Sequence, residues 1–311
     1  MREPPQHVAD ADVLALVRAH WVTDVDAVEH LAVGFGAHHW MASTSRAPRL
    51  FVTFDGLGQR HTAPSLEAAY AAAAELAAGG LEFVVASLPN RHGDYTAALA
   101  HGMVSCTPWL VGEVAGPGPL GSAQLAQANG AALSRLHAAT APVRISRWRP
   151  VVEATFGEDI EAKVRDRWTG GPYGERARSA LARHTGSIHR WTAAYHRLAR
   201  LASERVWVPT HGEPHSANQL VTAQSVVFVD WESLKLAPRE RDLRPLIDAG
   251  CVDLVAPDWP MVEMFDLEWR LDELSEYSSW FSRPHDGTAS DRVAIAGLIE
   301  ELERPEWQRP G

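Results

Sequence analysis

The sequence predicts an α+β chain of two lobes, a small N-terminal one built on five strands and a larger one that is mostly helical. Three observations lead there. Strand-like segments crowd the first 107 residues, with a single alanine-rich helix among them. A Gly- and Pro-rich stretch, "VGEVAGPGPLGS", then interrupts all periodicity, as a connector does. Beyond it, apolar residues recur at three- and four-residue steps, the spacing of amphipathic helices. At 311 residues the chain is too long for one small core, and its 46% apolar content is enough to build two lobes. The expected boundaries are 1–107 for the first lobe, 108–117 for a hinge and 118–311 for the second lobe.

The elements follow in order. "DADVLALVRAHW" starts with aspartate and carries apolar residues at helical spacing, so it reads as an opening helix. "VDAVEHLAV", "HHWMAST" and "RLFVTFD" read as three strands, the first two joined by the turn "GFG". "SLEAAYAAAAELAAGG" is a strong helix former stopped by glycines. "EFVVASLP" and "GMVSCTPWL" read as two more strands. The order has too few crossovers for a doubly wound parallel sheet. In the second lobe, "AQLAQANGAALSRLHAAT" and "ERARSALARHTGSIHRWTAAYHRLARLASERVW" read as helices. A hairpin-like region, "VWVPTHGEPHSANQLVTAQSVVFVDWE", follows, and helices return from "RDLRPLIDAG".

Composition narrows the class. The net charge of −10 argues against nucleic acid and suits a cationic ligand where the acid is clustered. Cys106 and Cys251 both sit in apolar surroundings, which fits free thiols in a reducing cytoplasm. The first residues carry no positive-then-apolar pattern, and no predominantly apolar run reaches the ~18 residues of a membrane span. A cytoplasmic protein without a membrane partner is therefore expected.

The chemistry concentrates in "HGEPHSANQL", residues 211–220, and in "VFVDWE", ending at Glu232. Zinc is a poor match. The histidines of a zinc HExxH site lie four apart on a helix, whereas Pro214 interrupts this stretch and no further ligand cluster follows. Phosphoryl transfer is a better match. It needs a carboxylate near the acceptor hydroxyl, and a few hard oxygen ligands to hold Mg²⁺ against the phosphates. Glu213, Asn218 five residues later, and Asp230 after an intervening strand pair supply these groups in order.

That spacing resembles the catalytic loop of aminoglycoside phosphotransferases and related small-molecule kinases, whose loop runs His-Gly-Asp, four residues, then Asn, before a hairpin ending in Asp-Trp/Phe-Glu. "SRLHAAT" and "APRERDL" extend the resemblance over nearly the whole chain. It implies a protein-kinase-like fold with a five-stranded antiparallel sheet. It also implies transfer of the γ-phosphate of ATP or GTP, with Mg²⁺, to a hydroxyl of a small molecule, such as a cationic aminoglycoside-type antibiotic. A metabolic kinase for a sugar, amino alcohol or hydroxy-amino acid is the alternative within this chemistry. A non-catalytic nucleotide or ligand binder is the alternative outside it. By the resemblance, Glu213 stands at the base, Asn218 and Asp230 at the metal, His211 and Asp242 brace the loop, and Arg135, Leu136 and His137 lie on the helix behind.

Two departures matter. The base is glutamate where the family carries aspartate, and a misplacement of about 1 Å can cost ~10²-fold in rate. The strand-three lysine that would meet the phosphates is also missing: Thr53 stands at that place, and Lys163 is the first lysine in the chain. Arg60 is the expected substitute, ahead of Arg46 and Arg49, with Glu67 as its ion-pair partner. Gly34 and Gly36 would cover the phosphates, although Gly-x-Gly between strands is often only a hairpin. Of His38 and His39, which alternate faces, at most one can meet the site. Pro108 and Trp109 would lie at the purine. Eight acidic residues between Asp253 and Glu276, interleaved with aromatics, suggest an acceptor surface, with Glu232, Glu263 and Asp266 as its expected members.

Overall fold

A computed structural model describes residues 1–58, 60–114, 120–223 and 225–308. In chain order the elements are α1 (Asp10–His20), β1 (Ala27–Leu31), β2 (His38–Ser43), β3 (Pro48–Gly56), α2 (Ala63–Ala78), β4 (Ala97–Leu99), β5 (Gly102–Pro108), β6 (Glu113–Val114), α3 (Ala123–Ala138), α4 (Phe156–Lys163) and α5 (Gly174–Ala202). There follow β7 (Val208–Thr210), β8 (Gln219–Val221), β9 (Val226–Phe228), β10 (Lys235–Ala237), α6 (Arg244–Asp248), α7 (Val252–Val255), α8 (Trp259–Phe281) and α9 (Ala289–Glu303). Short 3₁₀ turns occupy Ser216–Asn218 and Arg239–Asp242.

The first compact unit comprises Met1–Trp148 and Val206–Ala256. Its sheet is antiparallel throughout, in the order β1-β2-β3-β5-β4. Alternation along each strand gives the sheet two unlike faces. Trp40, Ala42, Leu50, Val52, Phe54, Val104 and Cys106 point one way and are sealed by Val13, Val17 and Trp21 around α1. Asp10, expected to cap that helix, instead accepts the Trp40 indole N–H at 2.8 Å. The other face carries a polar row: His39 pairs with Thr53, which pairs with Ser105, and Asp55 lies two residues further along β3. The helix α2 is capped by Thr62 and buries Leu66, Ala69, Tyr70 and Ala73.

Two expectations change here. "EFVVASLP" is not a sheet strand; the fifth strand is the short β4. Phe83 and Val84 are buried because they pack on the hairpin: Phe228 N–H donates to the Phe83 carbonyl at 2.7 Å, and Val85 N–H donates to the Phe228 carbonyl at 3.0 Å. A short buried apolar run has the same look in either role. The expected division at 107–118 also differs from the compact units. The connector itself contributes β6, which pairs with β8, and so ties the hairpin to the first unit; residues 115–117 of that connector lie outside the described residues.

The second compact unit comprises Arg149–Arg205 and the chain from Pro257 onward. Ala177, Ala180, Leu181, Ile188, Trp191, Tyr195 and Leu198 bury one face of α5 at three- and four-residue steps. Tyr195 O–H donates to Glu268 of α8 at 2.6 Å. Arg270 is fully buried, 4.4 Å over the Trp191 ring, and donates to the carbonyls of Arg304 and Pro305. Asp266, an expected acceptor contact, is buried and held by Arg304 at 2.9 Å, so its charge is engaged within this unit. Among the described residues no helix is long and apolar enough to cross a membrane.

Candidate active site

The strand β7, paired with β10, delivers the chain to His211. His211 is fully buried. Its Nε2 donates to the Val229 carbonyl at 2.9 Å, and its Nδ1 accepts the Glu213 N–H at 3.3 Å, which fixes the neutral Nε2–H tautomer. Burial first, against the pull of Asp242 and other acids, lowers its pKa. The Asp242 carboxylate lies beneath, accepting the N–H groups of His211 and Gly212 at 3.0 and 2.7 Å and His137 Nε2 at 2.9 Å. Burial alone would raise its pKa; the His137 hydrogen bond, the two histidines and the Gly212 N–H outweigh burial and hold it below the ordinary value. Gly212 has φ +97, and a Cβ there would strike the Arg241 guanidinium. Only glycine fits both constraints. Arg241 in turn donates to Thr210 Oγ1 and the Ser233 carbonyl. The loop is therefore braced from below before any reactant arrives.

Glu213 extends from this brace. Its Oε1 accepts the Ser233 hydroxyl at 3.2 Å, and its Oε2 is 3.9 Å from His215 Nε2. Asn218 donates its side-chain N–H to the Glu213 carbonyl at 3.0 Å, and its backbone carbonyl accepts Val229 N–H at 3.0 Å. The amide is thereby oriented, and Oδ1 has no protein partner among the described residues. Asp230 follows β9 in a left-handed conformation, φ +69, which costs on the order of 1 kcal/mol for a non-glycine residue. Aspartate tolerates that conformation better than most side chains.

Carboxylates act on one another here. Glu232 is half-buried as a residue, yet its Oε2 is enclosed and has no hydrogen-bond partner. Burial, then Asp230, Glu213 and Asp55, push its pKa well above the ordinary carboxylate value. Asp55 is 5% exposed and accepts the Tyr70 hydroxyl at 2.8 Å. Burial raises its carboxyl to about 7, with Asp230 adding to the rise. A free Asn218 Oδ1, the exposed Asp230 carboxylate and the orphaned Glu232 oxygen form a hard-oxygen set, and that set suits Mg²⁺. Among the described residues no three His, Cys, Asp or Glu side chains converge closely enough to cage an ion. Magnesium is commonly held by one or two carboxylates together with phosphate oxygens.

The polar sheet face borders this acid. His39 Nδ1 lies 3.2 Å from Thr53 Oγ1, and its imidazole feels Asp230. His38 points to the other face, among Trp40 and Phe54. His61 has its pKa lowered to about 4 by burial, then by the charges of Arg60 and Lys235, with Asp230 opposing; those cations thus lie within reach of the site. Glu67 does not serve Arg60 as expected. Its carboxylate accepts the Tyr95 and Thr96 N–H groups and the Thr96 hydroxyl, so it caps the turn before β4. Trp109 N–H donates to the Arg49 carbonyl and is not a spare donor for a purine. Arg135 pairs with Glu82 at 2.7 Å, and Leu136 is buried. The residues not foreseen are Asp55, Tyr70, His61, Ser233 and Lys235. Asp55 had a signal: it shares the strand face of Thr53, two residues away.

Comparison with known proteins gives a consistent set of likenesses. The model of the phosphotransferase enzyme family (APH) matches residues 27–279. Protein StrN of Streptomyces griseus is 29% identical over 254 residues, covering 76% of this chain and 77% of that protein. Among solved structures, spectinomycin phosphotransferase APH(9)-Ia, in complex with ADP and spectinomycin, superposes with a TM-score of 0.71 at 16% identity, covering 97% of this chain and 96% of that one. A microcompartment-associated aminopropanol kinase superposes with a TM-score of 0.60 at 15% identity, covering 94% and 95%.

Proposed function

Because the chain belongs to the phosphotransferase enzyme family, we propose that it moves the γ-phosphate of ATP or GTP to a hydroxyl of a small molecule, with an aminoglycoside-type or similarly cationic antibiotic as the leading acceptor class. The observation that carries the reading is the trio of Glu213, Asn218 and Asp230 on one braced loop and hairpin. Asn218 Oδ1 and Asp230 would hold Mg²⁺, which when bound would draw charge from the phosphate oxygens. Glu213 faces the acceptor. Its carboxylate accepts the hydroxyl proton as the oxygen bonds to the γ-phosphorus, and the bond to the β,γ-bridging oxygen breaks with its electron pair leaving on the nucleoside diphosphate. Positioning and electrostatics dominate such a transfer. The longer side chain of glutamate is held by Ser233 Oγ and by the Glu213 N–H bond to His211, which supports it in the place of an aspartate.

Arg60 is proposed as the cation near the phosphates, with Gly34 and Gly36 above them and Pro108 and Trp109 at the purine edge. Glu232 is proposed to favour a positively charged acceptor. The donor nucleotide implies the cytoplasm. The test is phosphate transfer by wild type, Glu213→Gln and Glu213→Asp across a panel of aminoglycosides, other antibiotics and amino alcohols, with nucleotide affinity measured alongside. Glu213→Gln should lower turnover ~10²-fold or more, the scale of base and positioning effects, with nucleotide affinity nearly intact. Glu213→Asp should retain part of the activity. Full transfer by Glu213→Gln reduces Glu213 to a brace, and transfer restricted to amino alcohols moves the acceptor class to metabolism.

A further inference from the structure

A triphosphate needs donors from the sheet side of its site; the one cation on strand β3, Arg49, pairs with Asp24 at 3.3 Å, and Thr53 is the residue on the polar face beside His39. The register places His39 directly across from it. Thr53 Oγ1 and His39 Nδ1 lie 3.2 Å apart, which fixes the ring plane. With the Thr53 hydroxyl donating to Nδ1, the imidazole carries its proton on Nε2. That atom makes no protein hydrogen bond among the described residues. It points beneath the β1–β2 turn, where a Cβ on Gly34 would come within 3.0 Å of it. Gly34 has φ +68, so the turn holds its glycine for both conformation and close approach. The imidazole also feels the charge of Asp230. His39 therefore lies against the glycine turn and within the field of the acid expected to hold the metal, with one N–H uncommitted.

We propose that His39, oriented by Thr53, donates Nε2–H to the phosphate chain of the bound nucleotide and so supplies a contact that β3 itself lacks. The inference rests on the phosphotransferase reading. Burial lowers the imidazole to about 4, so it reaches this task neutral, as a hydrogen-bond donor and not as a cation. A neutral donor fits a site that must also accommodate Asp230 without forming a closed ion pair. Thr53 acts through His39 and is a positioning residue. The Phe51 ring packs 4.9 Å from the imidazole and limits its movement on the other side.

The experiment is calorimetric titration of wild type, His39→Ala, His39→Gln and Thr53→Val with MgATP, MgGTP, adenosine and guanosine, with thermal melts to verify folding. The amide N–H of glutamine can reach where Nε2–H lies, so His39→Gln separates loss of the donor from loss of the ring. His39→Ala should weaken the triphosphate ~10-fold or more, the range for a hydrogen bond to a charged group, and change the nucleoside by less than about twofold. His39→Gln should recover most of the loss, and Thr53→Val should fall between Ala and wild type. An unchanged triphosphate affinity in His39→Ala, or an equal loss for nucleoside and triphosphate, overturns the assignment to His39 alone. If Ala does not fold, a His39→Gln protein as weak as a Thr53→Val protein that itself matches wild type for nucleosides overturns it as well. Wild type that binds no nucleotide overturns the function reading, and this inference with it.

Discussion

Replacing Asp55 with asparagine should make the protein more stable at neutral pH, and the size of the gain follows from the carboxyl's surroundings. The side chain is 5% exposed, and the Tyr70 hydroxyl is its hydrogen-bond donor. In the unfolded chain the carboxyl loses its proton near 3.8; in the folded chain burial and Asp230 hold the proton to about 7. Between those values the native state binds more protons than the unfolded state, so this group makes stability fall as pH rises. From pH 5 to pH 8 the native carboxyl crosses about two units of that interval, and at ~1.4 kcal/mol per unit the loss is about 3 kcal/mol. Asparagine has nearly the same shape, keeps an oxygen to accept from Tyr70, and does not ionise. Urea denaturation of both proteins in metal-free buffer should therefore give a stability difference that grows in favour of Asp55→Asn by about 3 kcal/mol from pH 5 to pH 8. A difference that stays level across that range would refute the reasoning, because no ordinary packing change depends on pH in that way.

Two further substitutions address the phosphate side. Asp230→Ala should abolish Mg²⁺-dependent nucleotide binding while the fold survives, since the residue is exposed at the end of β9; calorimetry with MgATP and MgGTP reads it, and unchanged affinity removes Asp230 from the metal. Arg60→Ala should weaken triphosphates by ~10-fold while leaving nucleosides within about twofold, and equal losses would point to a folding defect or to another residue.

Much of the architecture was legible because it is written locally. The opening helix, the first three strands, α2 and α5 each announce themselves by periodicity, and α2 also by the glycines that stop it, Gly79 and Gly80. Where context decides, the reading diverged. Phe83 and Val84 have the composition of a strand, yet their backbone partner is Phe228, about 145 residues away in sequence, and nothing local encodes that choice. The short β4 has too few residues to carry a period. The trio in the loop was legible because its spacing is set by chain geometry: a tight turn, one 3₁₀ turn and one hairpin. Asp55 and His39 were harder, because their meaning depends on which face of the sheet closes over α1 and which borders Asp230. Glu67 illustrates the same limit in reverse. Its place on α2 suggested an ion pair, but two backbone N–H groups and a hydroxyl lie closer.

Metal binding at the clustered acid should be coupled to proton release. Burial and the charge of Asp230 raise the pKa of both Glu232 and Asp55, so each holds its proton more tightly than a free carboxylate does. A divalent ion at Asp230 and Asn218 reverses the sign of that field. The charged form of each neighbour is then favoured, so their pKa values fall and protons leave as the ion binds. Titration of the protein with Mg²⁺ near pH 7 should therefore release a fraction of a proton per ion, up to ~1. Calorimetry in two buffers of unlike ionisation enthalpy reads the release directly, as a difference in heat at equal affinity. Asp55→Asn should remove Asp55's share, and Glu232→Gln its own. Identical heats in both buffers, with Mg²⁺ binding evident, would mean that the ion does not enter the acid cluster, and proton uptake would mean that it binds where its charge faces other groups.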